Sequence, residues 1–272
     1  MSSSEEQPRP RSKTLSPAQL REILEQHRLW VESKKKEGQR ANLAGVNLNR
    51  ADLENANLPM ADMRDITLSG ANLKGANLQN TNLQRGKLYQ ANFSGANMQG
   101  ADLSGSMLHN AIFEKTNLQN ATLAPAELEL VDLSGANLQG ADLEGANLKG
   151  SNLRNANCQG TNFYKAKLPN TILVKVNFQD ANLRTTDIRD SDLTGSNLQG
   201  ANLQSAKLQN ADLVKVNLQG ANCFKTRFQK ADLYKAEVQG ADMRAADLRD
   251  AVGFNLKHLE MVISDEKTKL RD

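Results

Sequence analysis

Residues able to do chemistry are few in this chain, and they are scattered. The three histidines, His27, His109 and His258, lie near one end, at mid-chain and near the other end. They do not converge on one metal without long-range folding back, and none has a cysteine or carboxylate at ligand spacing. The two cysteines, Cys158 and Cys223, have nothing in their spacing to suggest a staple, which fits a reducing compartment. Aspartates are many, but they alternate with asparagine at equivalent positions, and both types satisfy backbone groups at turns. No GxxxxGK[ST] phosphate loop occurs. The expectation is a protein with no catalytic residue, no metal and no cofactor, and therefore not an enzyme.

Composition narrows the remaining classes. The 272 residues are 39% hydrophobic but only 4% aromatic, with one tryptophan, so the core must be built from uniform, smaller side chains. Residues 1–40 carry nine Lys/Arg against six Asp/Glu, residues 41–250 carry twenty-one of each, and residues 251–272 four of each. The net charge of +3 thus sits in the N-terminal segment and the body is neutral, which argues against a nucleic-acid partner. No apolar stretch follows the start, and no run reaches the roughly eighteen apolar residues of a membrane span. Cytoplasmic placement is expected.

What must position any functional residue is a repeat. From Ala41 to Asp250 the chain divides into forty-two consecutive five-residue units without an insertion. With the central residue of each unit written i, thirty of the forty-two are Leu and none is polar; position i−2 is Ala in twenty-six. A period of five matches neither helix nor strand. It requires a coil that turns a corner once per unit, with i and i−2 inward and the other three positions outward.

A second period is twenty. Position i+1 is glutamine at Gln79, Gln99, Gln119, Gln139, Gln159, Gln179, Gln199, Gln219 and Gln239, and i−1 on the same units is asparagine from Asn57 through Asn217. Such matches require vertical columns with twenty residues per turn. The columns are expected to be stacked amides hydrogen-bonded to one another, with a flat polar docking or dimer face as the alternative. Cys158 and Cys223, both at i, then point into the core on different faces about three coils apart, too far for a disulfide.

The pattern A[N/D]LXX resembles the pentapeptide-repeat family over about three-quarters of the chain. That resemblance implies an all-β solenoid: a right-handed quadrilateral β-helix with four units per coil, here about ten coils. Both ends of such a coil expose unpaired edges that need covering. Residues 14–40 are expected to supply an N-terminal capping helix over 17–34. Ser16 is the N-cap, Pro17 the first helical residue, Gln19 completes a capping box, and Gly38 is the stop. Leu20, Ile23, Leu24, Trp30 and Val31 form its apolar stripe. Residues 251–272 are expected to form a C-terminal cap, with a helical turn over Phe254, Leu256 and Leu259 and an extended piece around Met261–Ile263. Residues 1–13 read as a disordered tail.

Function is sought where the repeat lapses. The i+1/i+2 pairs Val174-Lys175, Val214-Lys215 and Tyr234-Lys235 form a stripe in the C-terminal half, and neighbouring columns add Tyr164-Lys165 and Phe224-Lys225. Apolar and aromatic residues rimmed by lysine suit a protein contact; they also suit an extended backbone kept soluble. A second irregularity is acidic, Glu127, Glu129 and Asp132 beside an outward Leu130, and reads as a tolerated imperfection. The leading expectation is a non-enzymatic scaffold that binds a protein partner through one face, as a monomer or weak homodimer. The family resemblance supplies the alternative, a DNA-mimicking modulator of a type II topoisomerase that protects gyrase. The neutral body and the lack of loops stand against it.

Overall fold

A computed structural model describes residues 13–270. From Asn42 onward, each residue whose number ends in 2 or 7 forms a parallel bridge with the residue twenty further on, up to Asp232 with Val252. The chain is a β-helix-like solenoid with four bridges in every twenty residues.

One unit explains the period. Leu138 donates its N–H to the Asn157 carbonyl one coil on at 2.7 Å, and Asn157 donates back to Ala136 at 2.9 Å. The chain then corners: the Leu138 carbonyl accepts from Ala141 N–H at 2.9 Å, and Gly140 donates to Gln159 of the next coil at 3.0 Å. So tight a corner puts residue i+2, except for Pro125 whose ring forbids a positive φ, in the left-handed region, with Gly140 at φ +67°. Elsewhere asparagine, lysine and even Leu130 (φ +57°) adopt it. The i−1 side chain holds the corner from outside, as where Asn137 Oδ1 accepts from Gln139 N–H at 3.3 Å.

Inward positions form one continuous core of buried Leu and Ala along the axis. Phe93 and Phe113, stacked in successive coils, lie 4.9 Å apart at 10°. Where i−2 is hydroxylated the group is buried but satisfied: Thr161 Oγ1 donates to the Leu138 carbonyl at 2.7 Å, as Thr81, Thr116 and Thr226 do to their equivalents.

Helix α1 spans Pro17–Glu32 behind the expected capping box of Ser16 and Gln19. It ends earlier than the sequence suggested, because Lys34 and Lys35 already turn left-handed at φ +56° and +73°. Gly38 has another role. A Cβ there would sit 2.2 Å from the Gln26 carbonyl, so glycine lets the returning chain lie against α1. Leu15, Leu20, Ile23 and Leu24 pack on the first coils, whereas Trp30 and Val31 are half-buried outside that contact. His27 is the fully buried residue of α1: its Nδ1 accepts from Ala41 N–H at 2.9 Å and its ring stacks on Trp30.

The expected tail lies outside the described residues except for Lys13. With Thr14 this residue forms β1 (Lys13–Thr14), parallel to β2 (Val46–Asn47). The segment before the helix therefore pairs with the edge of the first coil. At the other end Asn255 caps the four-residue helix α2, Leu256–Leu259. Phe254 and Val262 pack on the core, but Leu256 is 78% exposed and does not cover it. Asp242 bridges Ile263 and Asp247 bridges Lys269, offsets of twenty-one and twenty-two where the strict repeat has ended.

Candidate functional site

The stripe is built by the same corners. Val214 N–H donates to Asp212 Oδ1 at 3.0 Å and Tyr234 N–H to Asp232 Oδ1 at 2.9 Å. Each i+1 side chain is thereby held outward at a turn. Val174, Thr194, Val214 and Tyr234 stand in one column, twenty residues apart. Tyr234, 55% exposed, is its most prominent member. Val174 departs from expectation: it is only 8% exposed, so it belongs more to the wall than to the surface. The lysines that follow, Lys175, Lys215 and Lys235, are exposed and left-handed at φ +56°, +56° and +58°.

Tyr164-Lys165 and Phe224-Lys225 stand together on one column, three coils apart. That column is ten residues, half a twenty-residue turn, from the Val174–Tyr234 column and does not neighbour it as expected. The two sets share one chemistry. Lys165 Nζ lies 4.6 Å from the Tyr164 ring centre, Lys225 5.0 Å from Phe224, and Lys235 5.2 Å from Tyr234. Arg184 of the next coil also faces Tyr164, at 5.7 Å. Sequence reading missed Arg184, although the twenty-residue offset from Tyr164 is the signal that finds it. Beside the lysines runs a column of stacked acids, Asp192, Asp212 and Asp232. Like charges in adjacent strands repel, and Lys215 and Lys235 on the same units offset this. The surface offers aromatic, cationic and anionic groups in rows.

One expectation about the histidines is corrected. His109 does have a carboxylate partner: Glu129 Oε2 lies 2.9 Å from its Nε2, one coil on. Asn147 donates to both Glu129 and Glu127, so the acidic irregularity is a bonded cluster. The bond from Asn147, followed by the one from His109, holds the Glu129 carboxyl below the usual carboxylate range. Solenoid stacking brings residues i and i+20 together, which is why local spacing gave no sign. Tyr89 stands in the same column, its ring 6.0 Å from that of His109. His258 serves its own helix, accepting from Asn255 N–H at 3.0 Å. Among the described residues no three His, Cys, Asp or Glu side chains gather as a metal site. Cys158 and Cys223 are free and fully buried, and burial pushes both thiols up. No helix among the described residues is long and apolar enough to cross a membrane.

The amide columns are bonded as well as aligned. Asn157 Nδ2 donates to Asn137 and Asn177 Nδ2 to Asn157, both at 3.1 Å; Gln119 Nε2 donates to Gln139 at 3.0 Å. Comparison with protein-family models gives a match to pentapeptide repeats in eight copies, over residues 39–85, 87–124 and 132–250. The chain belongs to the pentapeptide-repeat family. None of the curated proteins matches it significantly. Among solved pentapeptide-repeat structures, HetL of the cyanobacterium Nostoc sp. strain PCC 7120, involved in heterocyst differentiation regulation, is 25% identical. That alignment covers 88% of this chain and 97% of HetL, with a TM-score of 0.35. QnrB1, a plasmid-mediated fluoroquinolone resistance protein, is 17% identical over 76% of this chain and 91% of its own, with a TM-score of 0.34. A pentapeptide-repeat protein of the Arabidopsis thaliana thylakoid lumen is 26% identical over 42% of this chain and 66% of its own, with a TM-score of 0.26.

Proposed function

We propose that this pentapeptide-repeat protein is a non-enzymatic cytoplasmic scaffold that binds a protein partner through the C-terminal half of its surface. In this reading residues 41–250 form a right-handed, four-sided coil of about ten turns. Residues 14–40 cap one end and residues 251–272 the other. The observation that carries the binding role is the set of aromatic rings each held under its own lysine, at Tyr164, Phe224 and Tyr234. Aromatic groups with a pre-positioned cation supply contact area at little cost in side-chain freedom, and such groups are enriched at protein interfaces. The lysines stand at left-handed positions where glycine is less strained, so the charge is kept at a conformational cost. The reading of gyrase protection by DNA mimicry is not favoured, because the repeat body carries as many cations as anions.

Affinity purification from the native organism tests the reading, with the triple variant Lys175→Glu, Lys215→Glu, Lys235→Glu as control. Partners captured by the wild type should be lost from the variant. An identical set of partners in both would refute the stripe as the contact surface.

A further inference from the structure

The four sets of outward positions differ sharply in charge. In residues 41–250 there are forty-two Asp, Glu, Lys and Arg residues. The twenty-residue register sorts them into four columns of units. Three of the columns hold twelve, thirteen and fifteen of the charged residues. The fourth, which carries the Asn57–Asn217 and Gln79–Gln239 series, holds two: Asp180 and Glu237. Aqueous solubility alone does not empty one side of a rod of charge while loading the other three.

What stands on that side is polar but neutral. The asparagine ladder donates toward the N-terminus, Asn197 Nδ2 to Asn177 at 3.2 Å, and the glutamine ladder toward the C-terminus, Gln79 Nε2 to Gln99 at 3.1 Å. Each side-chain amide has two N–H donors and a carbonyl with two lone pairs. Each asparagine Oδ1 in the ladder also accepts the backbone N–H two residues on, as Asn157 and Asn177 do from Gln159 and Gln179. An asparagine rung therefore keeps one N–H free, while each glutamine keeps at least one donor and one acceptor to face outward. The surface is also smooth. Asn80, Asn120 and Asp180 lay their side-chain oxygens over the next coil's Gly100, Gly140 and Gly200, about where a Cβ would be. At Gly160 and Gly220 an added Cβ would meet nothing, so no contact within the chain requires a bare backbone there.

We propose that a second copy of this chain docks on the Asn/Gln side to form a two-fold homodimer. Free donors and acceptors recur along it at the strand spacing of about 4.8 Å, and another copy offers the same rungs at the same spacing. Amide rungs are self-complementary, and a neutral surface lets two identical faces meet without like-charge repulsion. The strip is about 40 Å long, and two copies bury on the order of 1,000 Å², the low end of specific interfaces. Contacts of that size are those of weak, transient complexes, so the association is sought at micromolar concentrations and above. Lys175, Lys215 and Lys235 border this surface at the preceding corner without entering the amide columns, which leaves the stripe to a different partner.

Sedimentation analysis across about 1–200 µM tests the proposal, with the fold of every variant read by circular dichroism. The wild type should pass from the 29.8 kDa monomer to twice that mass. Gln139 and Gln159 lie at the middle of the neutral strip. The pair Gln139→Lys, Gln159→Lys should stay monomeric, as should Gln139→Glu, Gln159→Glu, and an equimolar mixture of the two should regain the dimer. Gly160→Arg should also be monomeric, since arginine already occupies the same left-handed turn position at Arg50 and Arg85. Ser94→Lys, Ser134→Lys on another column, and the triple lysine variant of the stripe, should dimerise like the wild type. A wild type that remains monomeric throughout, a lysine pair that still dimerises, or a mixture of folded variants that fails to reassociate would overturn the proposal.

Discussion

Leu130 is a leucine at a corner that favours glycine or asparagine, with φ +57° and 58% of its surface exposed. Left-handed backbone costs an ordinary L-residue about 1–2 kcal/mol, and asparagine relieves part of that. Leu130→Asn should therefore raise stability by about 0.5–1 kcal/mol in urea titration, at unchanged m-value. The opposite sign is expected one position type away. Leu138 is fully buried between coils, and Leu138→Lys strands a charge there, costing more than about 3 kcal/mol. Because each coil touches only its neighbours, hydrogen exchange in that variant should rise first in the adjoining coils and last at the ends.

At the scale of the element, α1 is tied to the first coil by one buried imidazole. Burial, opposed in part by the nearby Pro59 carbonyl and aided by Arg40, lowers the His27 pKa. Its Nε2 lies beside that carbonyl without closing a hydrogen bond of good geometry. The unfolded chain thus takes up the proton first as pH falls, near the ordinary histidine value of about 6.5. The His27 contribution is whole above that pH and is lost progressively as pH falls toward the folded pKa. Acidification from about pH 7.5 to 5 should loosen α1. The lone Trp30, stacked on His27 at 5.5 Å, reports this by fluorescence. In His27→Gln the change between those pH values should disappear.

Over the whole molecule the same linkage works at lower pH. Asp62, Asp187, Asp242 and Asp247 each accept from an arginine two residues on, and those bonds hold all four carboxyls below the usual carboxylate range. Their stabilisation is complete above the unfolded value near 4 and disappears as pH falls through the depressed folded values. Thermal stability should therefore be level with respect to these groups from neutrality to about pH 4 and fall below it. The arginines are about half exposed, so added salt should shrink the step. A melting temperature that does not change between pH 5 and pH 2.5 would contradict this assignment.

The repeat from Ala41 to Asp250, its inward Leu and Ala, its twenty-residue turn and the capping box at Ser16 are all decided by the sequence. Each follows from local stereochemistry or from identical letters at fixed intervals, and a solenoid's long-range contacts are themselves at a fixed interval. The sequence also contained the pairs His109–Glu129 and Tyr164–Arg184, but at a separation of twenty that rules of local spacing do not search. Tertiary structure alone decided the rest. It buried His27 under Ala41, sank Val174 into the wall, and returned the chain against α1 at Gly38. It also brought β1 to the edge of the first coil. The contacts of His27, Gly38 and β1 do not recur with the repeat, so no period announces them; each depends on where a non-repeating segment comes to rest against the rod.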